Sequence, residues 1–254
     1  MCARGDGPGD GFMLAWADVE LTGGGAQSYF LPLAMSWEEN AGNFGWPLLP
    51  YTLAKARRGP RTGAIFDALQ TDSFTRSLLT VLREGRELRA SNGTLRFTPT
   101  ARMAELTVPE DAEIRRLGVE QSNSSVLVGD QAVMKVFRRL TPGSHPELEM
   151  GRFLTEVAGY PNTPPLLGAV EHVAEDGTPT ALFVVQGFVR NQGDGWSSTV
   201  DSLVRDLDDI RLGVAHSNDE ASEGEPFGIH IAMMATLGQR TAELHCALAT
   251  RTGD

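Results

Sequence analysis

The sequence predicts an α+β fold in which a mostly β beginning is followed by a strand-and-helix unit and then by a helical end. In the first hundred residues, apolar and polar side chains alternate with the period of a β-strand. From residue 191 onward, apolar residues instead recur at helical spacing. The 254 residues, of which 41% are hydrophobic, are enough to bury a sizeable core.

Residues 1–104 are predicted to form a first, mostly β domain. Two segments alternate around a glycine-containing turn, as expected of β-hairpins. Another segment has the spacing of an amphipathic helix with Phe74, Leu78 and Leu82 on one face. The predicted elements are hairpins over 12–35 and 87–98, a strand over 51–58, and a helix over 73–84. A Trp-, Gly- and Pro-rich connection separates the first hairpin from the strand.

Residues 105–190 and 191–254 are predicted to form an antiparallel sheet with one helix and a helical region, respectively. Short apolar runs bounded by Gly and Pro indicate the strands, and Pro146 suits the first turn of a helix. The predicted elements are strands over 126–128, 132–137, 166–172 and 180–189, and helices over 146–157, 196–212 and 228–249.

The net charge of −11 argues against a general nucleic-acid or anionic-membrane binder. This charge is unevenly distributed: residues 1–140 hold 16 basic and 16 acidic side chains, whereas residues 141–254 hold 6 and 17. The two cysteines and five histidines show no metal-ligand spacing. We expect a cytoplasmic protein, because the sequence shows neither a signal peptide nor an apolar run near the ~20 residues of a membrane span.

Lysine is rare in this chain: 20 of the 22 basic residues are Arg, and only Lys55 and Lys135 are Lys. Lys135 lies within an apolar strand, where alternation places it on one face with Val133 and Phe137. An unpaired buried ammonium would cost several kcal/mol, so Lys135 requires an acidic partner or an anionic ligand. The alternative is a lysine on an edge strand whose side chain reaches solvent.

The surroundings of Lys135 favour a ligand. A polar loop, Gln121 to Ser125, precedes its hairpin, and a predicted helix with Glu147 and Glu149 follows. This is the layout of a protein-kinase-like N-lobe, in which the loop covers the ATP phosphates, the lysine binds them and a helix glutamate holds the lysine. The loop lacks the usual glycines, but hydroxyl groups and backbone N–H groups also donate to phosphate oxygens.

The run VEQSNSSVLVGDQAVMKVFRRLTPGSHPELEMGRFLTE (119–156) resembles the N-lobe of bacterial maltokinases, including those fused behind trehalose synthase. The segments PPLLGAVEH (164–172) and VVQGFVRNQGDGWSSTVDSL (184–203) also resemble this family. YTLAKARRGPRTGAIFDA (51–68) and the opening hairpin look like its N-terminal cap domain, and LGQRTAELHCALA (237–249) looks like the helix before its catalytic segment. The resemblance implies a cap domain over 1–104, an N-lobe over 105–190 and the start of a C-lobe over 191–254.

The activity that this resemblance implies is ATP-dependent phosphorylation of maltose at its anomeric hydroxyl, giving maltose 1-phosphate for α-glucan synthesis. The implied partners are ATP, Mg²⁺, maltose and trehalose synthase, the last either fused or associated. Glu149, rather than its neighbour Glu147, matches the family's partner of the lysine, and Val133 would supply an apolar wall for adenine. The implied phosphate-binding residues are Gln121, Ser122, Asn123, Ser124, Ser125 and Lys135. The implied hinge, whose backbone would bond adenine, is Gln186, Gly187 and Phe188.

Two motifs of the family do not occur in the 254 residues: its catalytic loop, which resembles H-G-D-x-H-x-x-Q, and its metal-binding D-F-E-G segment. Because these motifs and the beginning of the family's cap ahead of Phe12 are missing, we expect a fragment cut at both ends, with its Mg²⁺ ligands and most of its sugar pocket elsewhere and no activity alone. The acidic cluster at 205–209 fits a solvated helix face better than a substitute metal site. Two alternatives stay open: a non-catalytic binding or regulatory module, and part of an amino-sugar or aminoglycoside kinase.

Overall fold

The chain divides into two compact units in the computed structural model. The model describes residues 2–4, 11–37, 50–118, 122–212 and 228–252. The larger unit consists of residues 1–156 and 164–188, and the smaller of residues 157–163 and 189–254. Most of the Trp-, Gly- and Pro-rich connection after the first hairpin, and the segment between the predicted helices over 196–212 and 228–249, lie outside the described residues.

The first sheet of the larger unit contains the predicted opening hairpin. Its strands are β1 (Cys2–Arg4), β2 (Gly11–Glu20), β3 (Ala26–Trp37), β4 (Thr52–Arg58), β5 (Arg61–Asp67) and β11 (Arg139–Leu140). The order is β1-β2-β3-β5-β4, all neighbours are antiparallel, and β11 pairs with β3. Gly24 and Gly25 turn the opening hairpin with φ of +88° and +91°, a region in which glycine has no steric penalty.

The second sheet carries the strand of Lys135. Its strands are β6 (Glu87–Ala90), β7 (Gly93–Pro99), β8 (Ile114–Arg116), β9 (Asn123–Val128), β10 (Ala132–Phe137), β12 (Leu166–Val173) and β13 (Pro179–Gly187). The order is β6-β7-β12-β13-β10-β9-β8, again with antiparallel neighbours throughout. The hairpin β12–β13 therefore lies in the interior of the sheet, between β7 and β10.

The helices lie close to their predicted positions. They are α1 (Asp72–Arg83), α2 (Pro146–Arg152), α3 (Gly195–Leu212) and α4 (Gly228–Leu248). The predicted helix over 146–157 changes at Phe153 into a π-helical turn, Phe153–Val157. Within that turn the Thr155 hydroxyl oxygen accepts a hydrogen bond from the Leu166 amide at 2.8 Å, which ties the turn to the start of β12.

Both faces of the second sheet are covered by apolar side chains. On one face a large cluster includes α1 and residues of the first sheet, with Phe12 against Phe74 at 5.2 Å and Phe97 against Phe183 at 6.3 Å between ring centroids. On the other face a smaller cluster includes Leu148 of α2. A buried strand such as β13 is therefore apolar almost without interruption.

The second predicted hairpin, β6–β7, belongs to the second sheet although it precedes residue 105. Phe97 of β7 is paired with Val170 of β12, and the Thr100 hydroxyl donates to the Leu166 carbonyl at 2.6 Å. Residues 1–104 therefore form one compact unit with residues 105–156 and 164–188, around a shared core. The chain leaves this unit for the last time after Phe188.

Candidate functional site

Lys135 lies on an interior strand and is paired with a carboxylate. Strand β10 has neighbours on both sides, with Lys135 opposite Ser125 of β9 and Val184 of β13. The edge-strand alternative for this lysine is therefore wrong. Its Nζ lies 3.0 Å from Oε2 of Glu147, and the side chains of Lys135 and Glu147 are 24% and 28% exposed.

The choice of Glu149 as the partner of Lys135 is corrected by this geometry. Side chains two positions apart on a helix project about 160° apart around the helix axis, so Glu147 and Glu149 cannot both face the sheet. The intervening Leu148 is buried against the sheet, whereas Glu149 is exposed and its Oε2 accepts a hydrogen bond from Ser144 Oγ at 3.2 Å.

One face of the second sheet collects several of the predicted binding residues. Directly opposed residues of antiparallel strands project to the same face, so Ser125 and Lys135 share one, and so do Val133 and Gln186. Strand alternation puts these two pairs on the same face, which also carries the cluster around Leu148 of α2. A cation, a hydroxyl group and an apolar side chain are thus presented together.

The described residues of the polar run 121–125 do not all present their side chains on the same face of the sheet. Gln121 lies outside the described residues, Ser122 is in a turn, and Asn123, Ser124 and Ser125 begin β9. Ser124 is opposite Val136, on the face away from Lys135, and its Oγ accepts a hydrogen bond from Arg138 Nε at 2.9 Å. Only alternate side chains of this run share the face of Lys135.

Two backbone donors of the predicted hinge, the amides of Gly187 and Phe188, are already used within the protein. The Gly187 amide donates to the Pro165 carbonyl at 2.9 Å, and the Phe188 amide donates to the Gln131 carbonyl at 2.8 Å. A Cβ on Gly187 would lie 2.9 Å from Cγ of Pro165, so this close approach requires glycine. A base bound beside Val133 would therefore need a donor other than these two amides.

His145 lies next to the ion pair, although nothing in the sequence had singled out this histidine. It precedes α2, and its ring stacks on Phe137 with centroids 4.0 Å apart. Burial lowers the pKa of His145 from its ordinary 6.5; the negative charge of Glu147 partly opposes this shift, and the positive charge of Lys135 adds to it. Its buried Nδ1 has no hydrogen-bond partner among the described residues. The lowered pKa favours a neutral ring at pH 7, which adds no third charge beside the pair.

A metal centre is not formed by the part of the chain that the structure describes. There, no three His, Cys, Asp or Glu side chains are grouped so that they could hold an ion. The acidic cluster at 205–209 lies on α3, a helix without buried residues. In the same described ranges, no helix has the length and apolar character needed to cross a membrane.

Comparison with known proteins identifies the fold. No protein-family model matches the chain. A solved structure of glucosamine kinase in complex with glucosamine, ADP and inorganic phosphate matches 97% of the chain with a TM-score of 0.51 and 20% sequence identity. A second crystal form of glucosamine kinase matches with a TM-score of 0.48 and 22% identity. The chain spans about half of these structures, 48% and 47% of their lengths. The predicted α+β, kinase-like fold is thereby confirmed.

Proposed function

We propose that this chain binds ATP on the face of the second sheet that carries Lys135, as the nucleotide-binding part of a carbohydrate kinase. The observation that carries the proposal is the ion pair between Lys135 and Glu147 on an interior strand. An ammonium held in this way is a fixed positive charge for phosphate oxygens. The kinase-like fold supports the same reading.

The residues on this face have separate roles in the proposed binding. Lys135 attracts the phosphate oxygens, Glu147 holds the lysine in one rotamer, and the Ser125 hydroxyl is a further donor on the same face. Val133 covers one side of the base. The described residues offer no ligand set for Mg²⁺, so we assign no metal site to them.

For the sugar, we propose maltose, phosphorylated at its anomeric hydroxyl. The γ-phosphoryl group of ATP would pass to that oxygen, giving maltose 1-phosphate and ADP with release of the hydroxyl proton. The support is the maltokinase resemblance of residues 119–156, 164–172 and 184–203, which also suggests association with trehalose synthase. Glucosamine is the second candidate acceptor, because the structural neighbour is a glucosamine kinase.

Nucleotide titration of the 254-residue chain tests the proposed ATP site. Lys135→Met should weaken ATP binding at least about tenfold, the loss expected when a phosphate loses a charged hydrogen-bond donor. Lys55→Met is the matched control, since it removes the other lysine, which is exposed on β4. Wild-type protein that binds no ATP, or a Lys135→Met variant that binds it normally, would refute the site.

Product analysis tests the finer assignment. We expect the chain alone to form no sugar phosphate from ATP with either maltose or glucosamine, because H-G-D and D-F-E-G are absent from it. Phosphorus NMR of both reactions would reveal turnover and which sugar is phosphorylated. Turnover of maltose would contradict the inactive-fragment hypothesis, and turnover of glucosamine alone would contradict the maltose assignment as well. If ATP does not bind and a protein partner does, the non-catalytic module is favoured.

A further inference from the structure

Arg138, the residue after β10, is fixed between the two sheets by its backbone. Its amide donates to the Ser122 carbonyl at 3.0 Å, and its carbonyl accepts from the Phe30 amide of β3 at 2.8 Å. The first bond holds the turn before β9, and the second holds a strand of the first sheet. Arg138 therefore joins the first sheet to the segment that begins the predicted phosphate loop.

The side chain of Arg138 also joins the start of β9 to the first sheet. Its Nε donates to Ser124 Oγ at 2.9 Å, and its Nη2 donates to Oδ2 of Asp67 at 2.5 Å. The other oxygen of Asp67 accepts from the Leu69 amide at 3.0 Å, which fixes the carboxylate at the end of β5. The side chains of Arg138 and Asp67 are each only 22% exposed.

These contacts determine which way the start of β9 faces. Successive strand residues project to opposite faces, so anchoring Ser124 on the Arg138 side places Ser125 on the Lys135 side. The planar guanidinium reaches Ser124 and Asp67 at once because its donors are held in a fixed fork. A lysine at this position would keep the charge but would have only a single donating nitrogen.

We propose that Arg138, oriented by Asp67, is a positioning residue for nucleotide binding that holds Ser122 to Ser125 in the conformation that receives the phosphates. This inference rests on the ATP site proposed above. Arg138 lies on the opposite side of the strand pair from Lys135, so it acts through β9 and not by touching the nucleotide. Its effect should therefore be confined to the phosphate part of the ligand.

Comparing the affinity for ATP with the affinity for adenosine distinguishes a positioning role of Arg138 and Asp67 from a general structural role. In calorimetric titrations, Arg138→Lys and Asp67→Asn should each weaken ATP binding by about fivefold or more, the equivalent of one charged hydrogen bond. Adenosine affinity should stay within about twofold, since the base and ribose do not depend on the phosphate loop. Arg139→Lys is the matched control, an adjacent exposed arginine on β11.

The outcomes distinguish this inference from the ATP site itself. Wild-type protein that binds no ATP would refute both. Wild-type protein that binds ATP while Arg138→Lys and Asp67→Asn bind it equally well would refute only the positioning role. Equal losses for ATP and adenosine would also refute it, because they indicate general disruption. If Arg138→Lys unfolds, Asp67→Asn decides, since it keeps the arginine and nearly the same side-chain shape.

Discussion

The partly buried ion pair between Lys135 and Glu147 says more about the role of the lysine than a fully exposed ion pair would. Exposed pairs contribute about 0–1 kcal/mol, whereas removing one member of a buried pair leaves a charge without compensation. With side chains 24% and 28% exposed, this pair lies between the two cases and is screened in part by solvent. Such a pair is costly to keep as a structural element alone, which favours a role for Lys135 in binding anions.

The two helix glutamates can be told apart by mutation. Glu147→Gln should weaken ATP binding by about fivefold, because Lys135 loses the carboxylate that orients it. Glu149→Gln, the control on the same helix, should change affinity less than about twofold, since Glu149 is exposed and contacts Ser144. Titration of both variants with ATP measures the difference. The opposite ranking would restore Glu149 as the functional partner.

For single residues, the sequence shows which residue types are rare, but it does not show which residues meet across long separations in the chain. Lys135 could be found because lysine is scarce and because an apolar strand seldom contains it. Arg138 could not be singled out, because its carboxylate partner lies 71 residues away and the chain has 20 arginines. The choice of Glu149 over Glu147 rests on the family resemblance, and this choice is wrong because the distinction depends on which helix face packs on the sheet.

Among the elements, the hairpin β6–β7 depends on strand β12. Apart from the β6–β7 pairing itself, β7 is bonded to β12, and its buried Leu95 and Phe97 belong to the core that includes Phe183. Without β12, these side chains would be exposed and β7 would become an open edge. The hairpin was predicted correctly from its own residues, but its partner strand begins 67 residues after Pro99, at Leu166.

Truncation tests this dependence. A fragment of residues 1–104 should show no cooperative unfolding transition, because it lacks β12 and β13 and with them part of its core. A fragment of residues 1–188 is the matched control and should unfold cooperatively, since it contains all of the larger unit. Urea unfolding followed by circular dichroism distinguishes them. A cooperative transition in the shorter fragment would instead support an independent cap domain.

The elements were predicted more accurately than their assembly. Alternation and turn residues located both N-terminal hairpins within a few residues, and helical spacing located α3 and α4. The strand order could not be read from the same patterns, because the insertion of β12–β13 between β7 and β10 depends on non-local pairing. The grouping of residues 1–104 with residues 105–156 and 164–188 is a consequence of that pairing.

For the whole molecule, the net charge of −11 is split into −5 for the larger unit and −6 for the smaller unit, so the larger unit is the less acidic one for its size. The predicted binding residues all lie within the larger unit, which contains the neutral first 140 residues. The smaller unit lies entirely after residue 140, in the acidic part of the chain. Polyphosphate ligands are repelled by acidic surfaces, so a site in the less acidic part of an acidic protein is electrostatically favourable.

The interior position of β12–β13 also has a consequence for synthesis of the chain on the ribosome. The strands β6 to β10 are made before residues 166–187, which must later enter between β7 and β10. At a synthesis rate of about 5–20 residues per second, β13 is made several seconds after β10, so β10 lacks this neighbour in the meantime. During that interval the edges of β7 and β10 are open to wrong pairing. The sheet face that carries Lys135 can therefore be completed only when the last strand of its sheet has emerged.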